Sequence, residues 1–197
     1  MSDEQTDAGP DAVSDAEFDA DAWAARLREN RAEKDAFFGD HPQSPIPPEE
    51  REAFDGLDYF APDAESRVTA TATVHDEPDP VEMATTASNP VRYLRVATFE
   101  FEVGGETHSL CAYKQDPAED TLFVPFRDAT SGEETYEHGR YMEFEPTRDL
   151  EAGDEVVLDF NLAYTPFCAY SETFSCPIPP EENELAVPVR AGERHTA

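Results

Sequence analysis

Residues 91–113 read VRYLRVATFEFEVGGETHSLCAY. The stretch Val91–Val103 alternates with a period of two around Tyr93, Arg95, Ala97, Phe99 and Phe101, the pattern of a half-buried strand rather than a helix. Gly104-Gly105 is a tight hairpin signal, and Thr107–Tyr113 is the return strand. The same period continues in both directions. Upstream, Val68, Ala70, Ala72 and Val74 alternate with polar residues. Downstream, Leu122–Phe126, Arg140–Glu145 and Glu155–Asn161 read as short strands, and Leu185–Val189 as the seventh. Thr130–Gly132 and Gly153-Asp154 mark turns between them. This pattern predicts a mainly β fold, either a β sandwich or a partly open β barrel.

A helix packed outside the β structure is expected over residues 21–38. Asp21 is its N-cap, Trp23, Leu27 and Phe37/Phe38 form a broken apolar stripe, and Gly39 is the stop. Residues 41–48 (HPQSPIPP) cannot be helical and form an extended connector. A short helical turn at Pro48–Phe54 follows, with Phe54, Leu57, Tyr59 and Phe60 as buried anchors. Residues 1–20 have almost nothing to bury and are expected to be a disordered acidic tail. That leaves residues 21–194 as a single domain with its β core over 67–190.

The chain has 197 residues, with 45 acids against 14 Lys and Arg, and a net charge of −31. Residues 1–22 hold eight of the acids and no base; without them the other 175 residues still carry −23. Self-repulsion of this size destabilises a fold in dilute buffer. At molar salt the Debye length falls to about 3 Å and the repulsion is screened. A soluble protein of a salt-rich cytoplasm is the expectation. Nucleic acid and anionic membranes are excluded as partners, because the one basic cluster, Arg26, Arg28, Arg31 and Lys34, is flanked by acids. No apolar run approaches the roughly 18 residues of a membrane-spanning helix, and the acidic N-terminus does not read as a signal peptide. In such a compartment Cys111, Cys168 and Cys176 are expected to be mostly reduced.

The candidate site lies in the second half of the chain. Residues 162–183 hold Tyr164, Phe167, Tyr170, Phe174, two cysteines, four prolines and Asn183. A long polar loop braced by prolines is usually functional or tightly packed. Three blocks here, FRDATSGEETYEHGRYM (126–142), DFNLAYTPFCAYSETFSCPIPPEEN (159–183) and AGE (191–193), resemble the signature blocks of the uncharacterised family called domain of unknown function 1684. KDAFFGDHPQSPIPPEEREAFDGLDYF (34–60) resembles its N-terminal block, so the resemblance covers roughly residues 30–193. The acidic composition resembles a haloarchaeal member. After Thr135-Tyr136, where the family pattern is Gly-rich, this chain has Glu137-His138. The resemblance implies one folded unit and locates a motif; the family brings no established activity.

Arg140 stands out as a base among aromatics in a chain of acids. Arginine takes a carboxylate or phosphate through two parallel hydrogen bonds. An internal ion pair with Asp128, Asp159 or Glu182 competes with that role. Asp159 and Asn161 are two apart and share a strand face. Asn183 caps a turn or donates to a ligand. Tyr164 and Tyr170 offer aromatic walls with polar tips. Asp159 and Glu182 are candidate general acids or bases. Cys168 and Cys176 are buried thiols, a reversible disulfide or a nucleophile. A metal alternative gathers His108, Cys111, Cys168 and Cys176 around zinc, although the C-x2-C pairs of strong zinc sites are missing. GxSxG, GxGxxG and P-loop patterns are absent, and no cofactor is expected. The reading is a small-molecule-binding protein or small enzyme. Its pocket, formed by residues 122–145 and 159–183, would hold an anion among Arg140, Asn161, Tyr164, Cys168, Tyr170 and Asn183. The alternative is a non-catalytic interaction module that docks through Pro42–Pro48 and Pro177–Pro180. His195 falls in a frayed tail.

Overall fold

The computed structural model describes residues 18–87 and 89–195, so the acidic tail expected at 1–20 lies almost wholly outside the described residues. Alternating apolar positions produce six strands: β1 (Arg67–Met83), β2 (Val91–Val103), β3 (Glu106–Lys114), β4 (Leu122–Phe126), β5 (Arg140–Phe144) and β6 (Glu155–Asp159). They form one antiparallel sheet in the order β5-β4-β3-β2-β1-β6. The sheet curls into a half-barrel, so the partly open barrel is the form the chain takes.

The main core cluster contains Phe99, Phe101, Leu110, Phe126, Leu158 and Phe160 together with the small Ala70, Ala72, Ala97 and Ala112. A smaller cluster of Met83, Tyr93, Cys111 and Tyr113 is packed separately. On β3 the two clusters follow from alternation: Leu110 and Ala112 go to one, Cys111 and Tyr113 to the other. On β2 alternation alone fails. Tyr93 shares its parity with Ala97, Phe99 and Phe101 yet joins the other cluster. The register slips between Arg95 and Ala97, and a one-residue slip exchanges the faces of every residue beyond it.

β1 is far longer than the Val68–Val74 core predicted, because it resumes after an irregularity between Val74 and Asp79 and pairs Pro80 with Leu94. The expected seventh strand does not form. One parallel bridge, Arg127↔Glu184, falls just before it, and Leu185–Val189 itself makes two backbone bonds to that neighbour, Leu185 N–H to Arg127 O (2.8 Å) and Ala129 N–H to Val187 O (3.3 Å). Pro188 has no N–H to extend the ladder.

Helix α1 spans Ala20–Asp40. Its N-cap is Asp19 rather than Asp21: the Asp19 carboxylate accepts from the Ala22 N–H at 2.9 Å. Gly39 does not end it. The His41 N–H closes the last turn on Phe37 O, and Pro42 then excludes helical geometry at the residue before it. Trp23, Leu27 and Phe38 are its buried residues. Phe38 packs edge-on against Phe167 and Tyr170, and the Trp23 indole donates to Asp159 Oδ2 at 2.8 Å. The Pro48–Phe54 turn appears as a 3-10 turn at Arg51–Ala53, and Phe54, Leu57, Tyr59 and Phe60 are half-buried. Among the described residues, no helix is long and apolar enough to cross a membrane.

Candidate functional site

The residues singled out in the sequence do not converge on one cavity. Arg140 is 1% exposed and its donors serve the chain itself. Nη1 donates to Ala191 O (2.5 Å) and Glu193 O (3.1 Å), and Nη2 to Val189 O (2.8 Å) and Asp128 Oδ2 (2.7 Å). Residues 189, 191 and 193 present alternate carbonyls, so the guanidinium does for the C-terminal segment what a neighbouring strand does elsewhere. Asp128 is the ion-pair partner, and its other oxygen accepts from Thr130 N–H and Oγ1 at 2.6 and 2.5 Å. Gly139 admits this strand: at φ +92° its Cβ would sit 2.4 Å from Phe126 O.

Asn183 has the same kind of task. The β3–β4 ladder is paired only at Tyr113↔Phe123, and Pro125 in β4 has no N–H to give. The Asn183 amide donates to Cys111 O (2.9 Å) and Pro125 O (2.6 Å), and its oxygen accepts from Cys111 N–H (2.8 Å). It splices the open part of the ladder. Glu182 beside it accepts from Tyr113 OH (2.5 Å) and Arg95 Nη1 (3.1 Å). Asp159 accepts from Trp23, Arg67 Nε and both nitrogens of Asn161, and Asn161 also closes on the backbone of Asp63 at 2.9 and 2.7 Å. These two carboxylates are held as structural acceptors, which leaves neither free as an acid or base next to Arg140.

The four residues of the zinc alternative are not gathered in one place. Among the described residues, no group of three or more His, Cys, Asp or Glu is arranged to hold a metal. Cys111 lies on β3 against Thr98 Oγ1 (3.6 Å), His108 packs near Phe101, and Cys168 sits beside Tyr136 OH (3.8 Å). Tyr170 packs between Phe38 and His195. His195 is half-buried against Tyr136, with its N–H on Glu134 O, and burial lowers its pKa; it is not a frayed end.

A cavity does form where α1 crosses the turn after β6. Leu27, Asn30, Arg31 and Lys34 share one face of the helix by their three- and four-residue spacing. They meet Tyr59, Asn161, Tyr164 and Glu193 around a space of about 170 Å³. Glu193, 2% exposed, is paired with Lys34 Nζ and accepts from the Thr165 N–H at 2.8 Å. Gly192 lets this segment approach, since a Cβ there would lie 2.5 Å from Ala163 O. Lys34 Nζ is 4.8 Å from the Tyr164 ring, and the Arg31 guanidinium lies 4.5 Å over the Tyr59 ring. Arg31 Nη1 donates to Phe60 O at 2.9 Å. Its Nε and Nη2 are buried with no partner, as is Tyr59 OH. Burial lowers the Arg31 pKa; burial, then the Glu193 charge, raises that of Tyr59. Asn161 and Tyr164 line this cavity, which is not the one expected around Arg140, and Arg31 and Lys34 supply its cations. Their helical spacing was legible; the partners come from three distant segments.

The family described as "Protein of unknown function (DUF1684)" matches residues 52–194. The chain belongs to this family. The DUF1684 match takes in Tyr59, Asn161, Tyr164 and Glu193 of the cavity and stops short of Arg31 and Lys34. A solution NMR structure of an uncharacterised protein from Haloarcula marismortui is similar at 58% identity, covering 89% of this chain and 95% of its own, with a TM-score of 0.72. No curated protein matches the chain.

Proposed function

We infer that this DUF1684 protein binds a small anionic molecule, a carboxylate or a phosphate, in the cavity beneath α1. The observation that carries the reading is the unpartnered Nε–Nη2 edge of Arg31. That edge is the one through which arginine takes a carboxylate or phosphate by two parallel hydrogen bonds. Other arginines with a buried unpartnered donor, Arg95, Arg127 and Arg194, leave only Nε so. Tyr59 OH supplies a third donor. Lys34 is neutralised by Glu193, so Arg31 provides the net positive charge. A space of about 170 Å³ suits a compact headgroup and not a polymer. The proposal extends to a salt-rich cytoplasmic setting, with no nucleic-acid or membrane partner, supported by the net charge of −31.

The test is a titration with inorganic phosphate and with succinate at fixed ionic strength, followed by amide chemical shifts. Saturable shifts centred on Arg31, Tyr59 and Leu162 are expected, with affinity near the millimolar range, about −4 kcal/mol. Arg31→Gln should weaken binding at least ~10-fold. Absence of saturable shifts with either anion, or equal affinity in Arg31→Gln, would sink the reading. One observation favours a second reading, the interaction module: Pro42–Pro48 lines a groove of about 790 Å³ together with Phe37, Phe167 and Phe174. Under it neither anion binds.

A further inference from the structure

The loop from Cys168 to Cys176 has a chemistry that the cavity does not use. We propose that Cys168 and Cys176 are a redox pair in which a peroxide oxidises Cys168 and Cys176 then closes an intramolecular disulfide. The Cys168 and Cys176 side chains interact with each other although seven residues separate them, and Tyr136 OH stands 3.8 Å from Cys168 Sγ. The loop is pinned at both ends. On one side a 3-10 turn spans Phe167–Ala169. On the other, the Cys176 N–H donates to Thr86 Oγ1 (3.2 Å) and its carbonyl accepts from the Thr86 N–H (3.0 Å). Both cysteines are half-buried, so a molecule as small as hydrogen peroxide can reach them. Cys111, by contrast, is buried on β3.

The hydrogen bonds assign the roles. Cys168 receives them from Cys176 and from Thr86 and Tyr136, and its pKa is lowered to about 6, while that of Cys176 is raised by giving its proton to the same bond. The thiolate is the nucleophile. The Cys168 thiolate attacks one peroxide oxygen, the O–O bond breaks, and the departing hydroxide takes up a proton to leave as water. Cys168 is then a sulfenic acid. The Cys176 sulfur attacks the Cys168 sulfur, the S–S bond forms, and hydroxide leaves with the Cys176 proton as a second water. Two thiols lose two electrons and one hydrogen peroxide becomes two waters.

The experiment treats the full chain with hydrogen peroxide at fixed KCl and maps peptides without reduction. A Cys168–Cys176 link with loss of two hydrogen atoms is expected. Cys176→Ser should stop at a Cys168 sulfenic acid that dimedone labels. Cys168→Ser should give neither product, and Cys111→Ser should behave as wild type. At about pH 7, iodoacetamide should modify Cys168 at least ~10-fold faster than Cys111 in the folded protein. Wild-type mapping needs no variant to fold, so the proposal stays open to refutation throughout. It is overturned if wild type forms no such link, if the link involves Cys111, or if the sulfenic acid is found at Cys176.

Discussion

Replacing Arg140 by alanine separates a residue that holds the fold from one that holds a ligand. In the structure the side chain is 1% exposed and is shared among Asp128 and the carbonyls of Val189, Ala191 and Glu193. Removing it leaves a buried carboxylate without its cation and three carbonyls without that donor. Breaking a buried pair from one side typically costs about 3–5 kcal/mol. A domain with about 5–15 kcal/mol in total loses a large share. With a urea slope of about 2 kcal/mol per molar, the midpoint should fall by about 2 M. The measurement is urea unfolding at constant multimolar KCl, because guanidinium would also screen the acidic surface. Arg140→Lys should recover less than half of the loss, since one ammonium cannot serve four acceptors in a planar fork. A ligand-holding arginine would behave otherwise: with the site empty, its removal would be near neutral. A midpoint for Arg140→Ala within about 0.5 M urea of wild type, about 1 kcal/mol, would refute the structural role.

Two further outcomes follow from charge. Raising KCl from about 0.2 M to about 3 M should raise the unfolding midpoint, because screening removes repulsion within a net charge of −31; a flat or falling midpoint contradicts salt adaptation. All seven tyrosines have raised pKa values, with burial the first cause in each. The folded state keeps protons that the unfolded chain releases near pH 10, so stability is full below about pH 10 and falls as pH rises above it. Tyrosinate absorbance should appear in one cooperative step with the loss of near-ultraviolet dichroism; gradual ionisation within a folded protein would contradict it.

The strands were legible wherever local pattern decides them. β2 and β4 occupy the predicted residues: β2 carries a period-two sequence that ends at the Gly104-Gly105 turn, and β4 is a short apolar run. β1 was not readable past Val74, since Asp76-Glu77-Pro78-Asp79-Pro80 looks like a loop and becomes strand only by pairing with β2. Leu185–Val189 shows the opposite failure. Its alternation is correct, but a strand also needs a free edge, and the neighbouring segment at Arg127–Ala129 offers only scattered bonds. Rarity rightly drew attention to Arg140. Its partners, 49 to 53 residues away on the backbone, carry no side-chain signal in a sequence.

A common cause links these misreadings. Beyond Asn183 the chain runs irregularly, and its buried backbone groups must still find partners. Side chains supply them: Asn183 for Cys111 and Pro125, Arg140 for residues 189, 191 and 193, and Glu193 for Thr165. The blocks that carry the family resemblance are therefore rich in residues that complete the fold, which is why they look like a site. Binding needs the reverse property, polar groups left unfinished by the fold. Arg140 has its Nη groups bonded, whereas Arg31 keeps a whole edge without a partner. In so acidic a chain the useful question about a buried base is what its donors already hold, and by that criterion the search for a ligand moves from the signature loop to the face of α1.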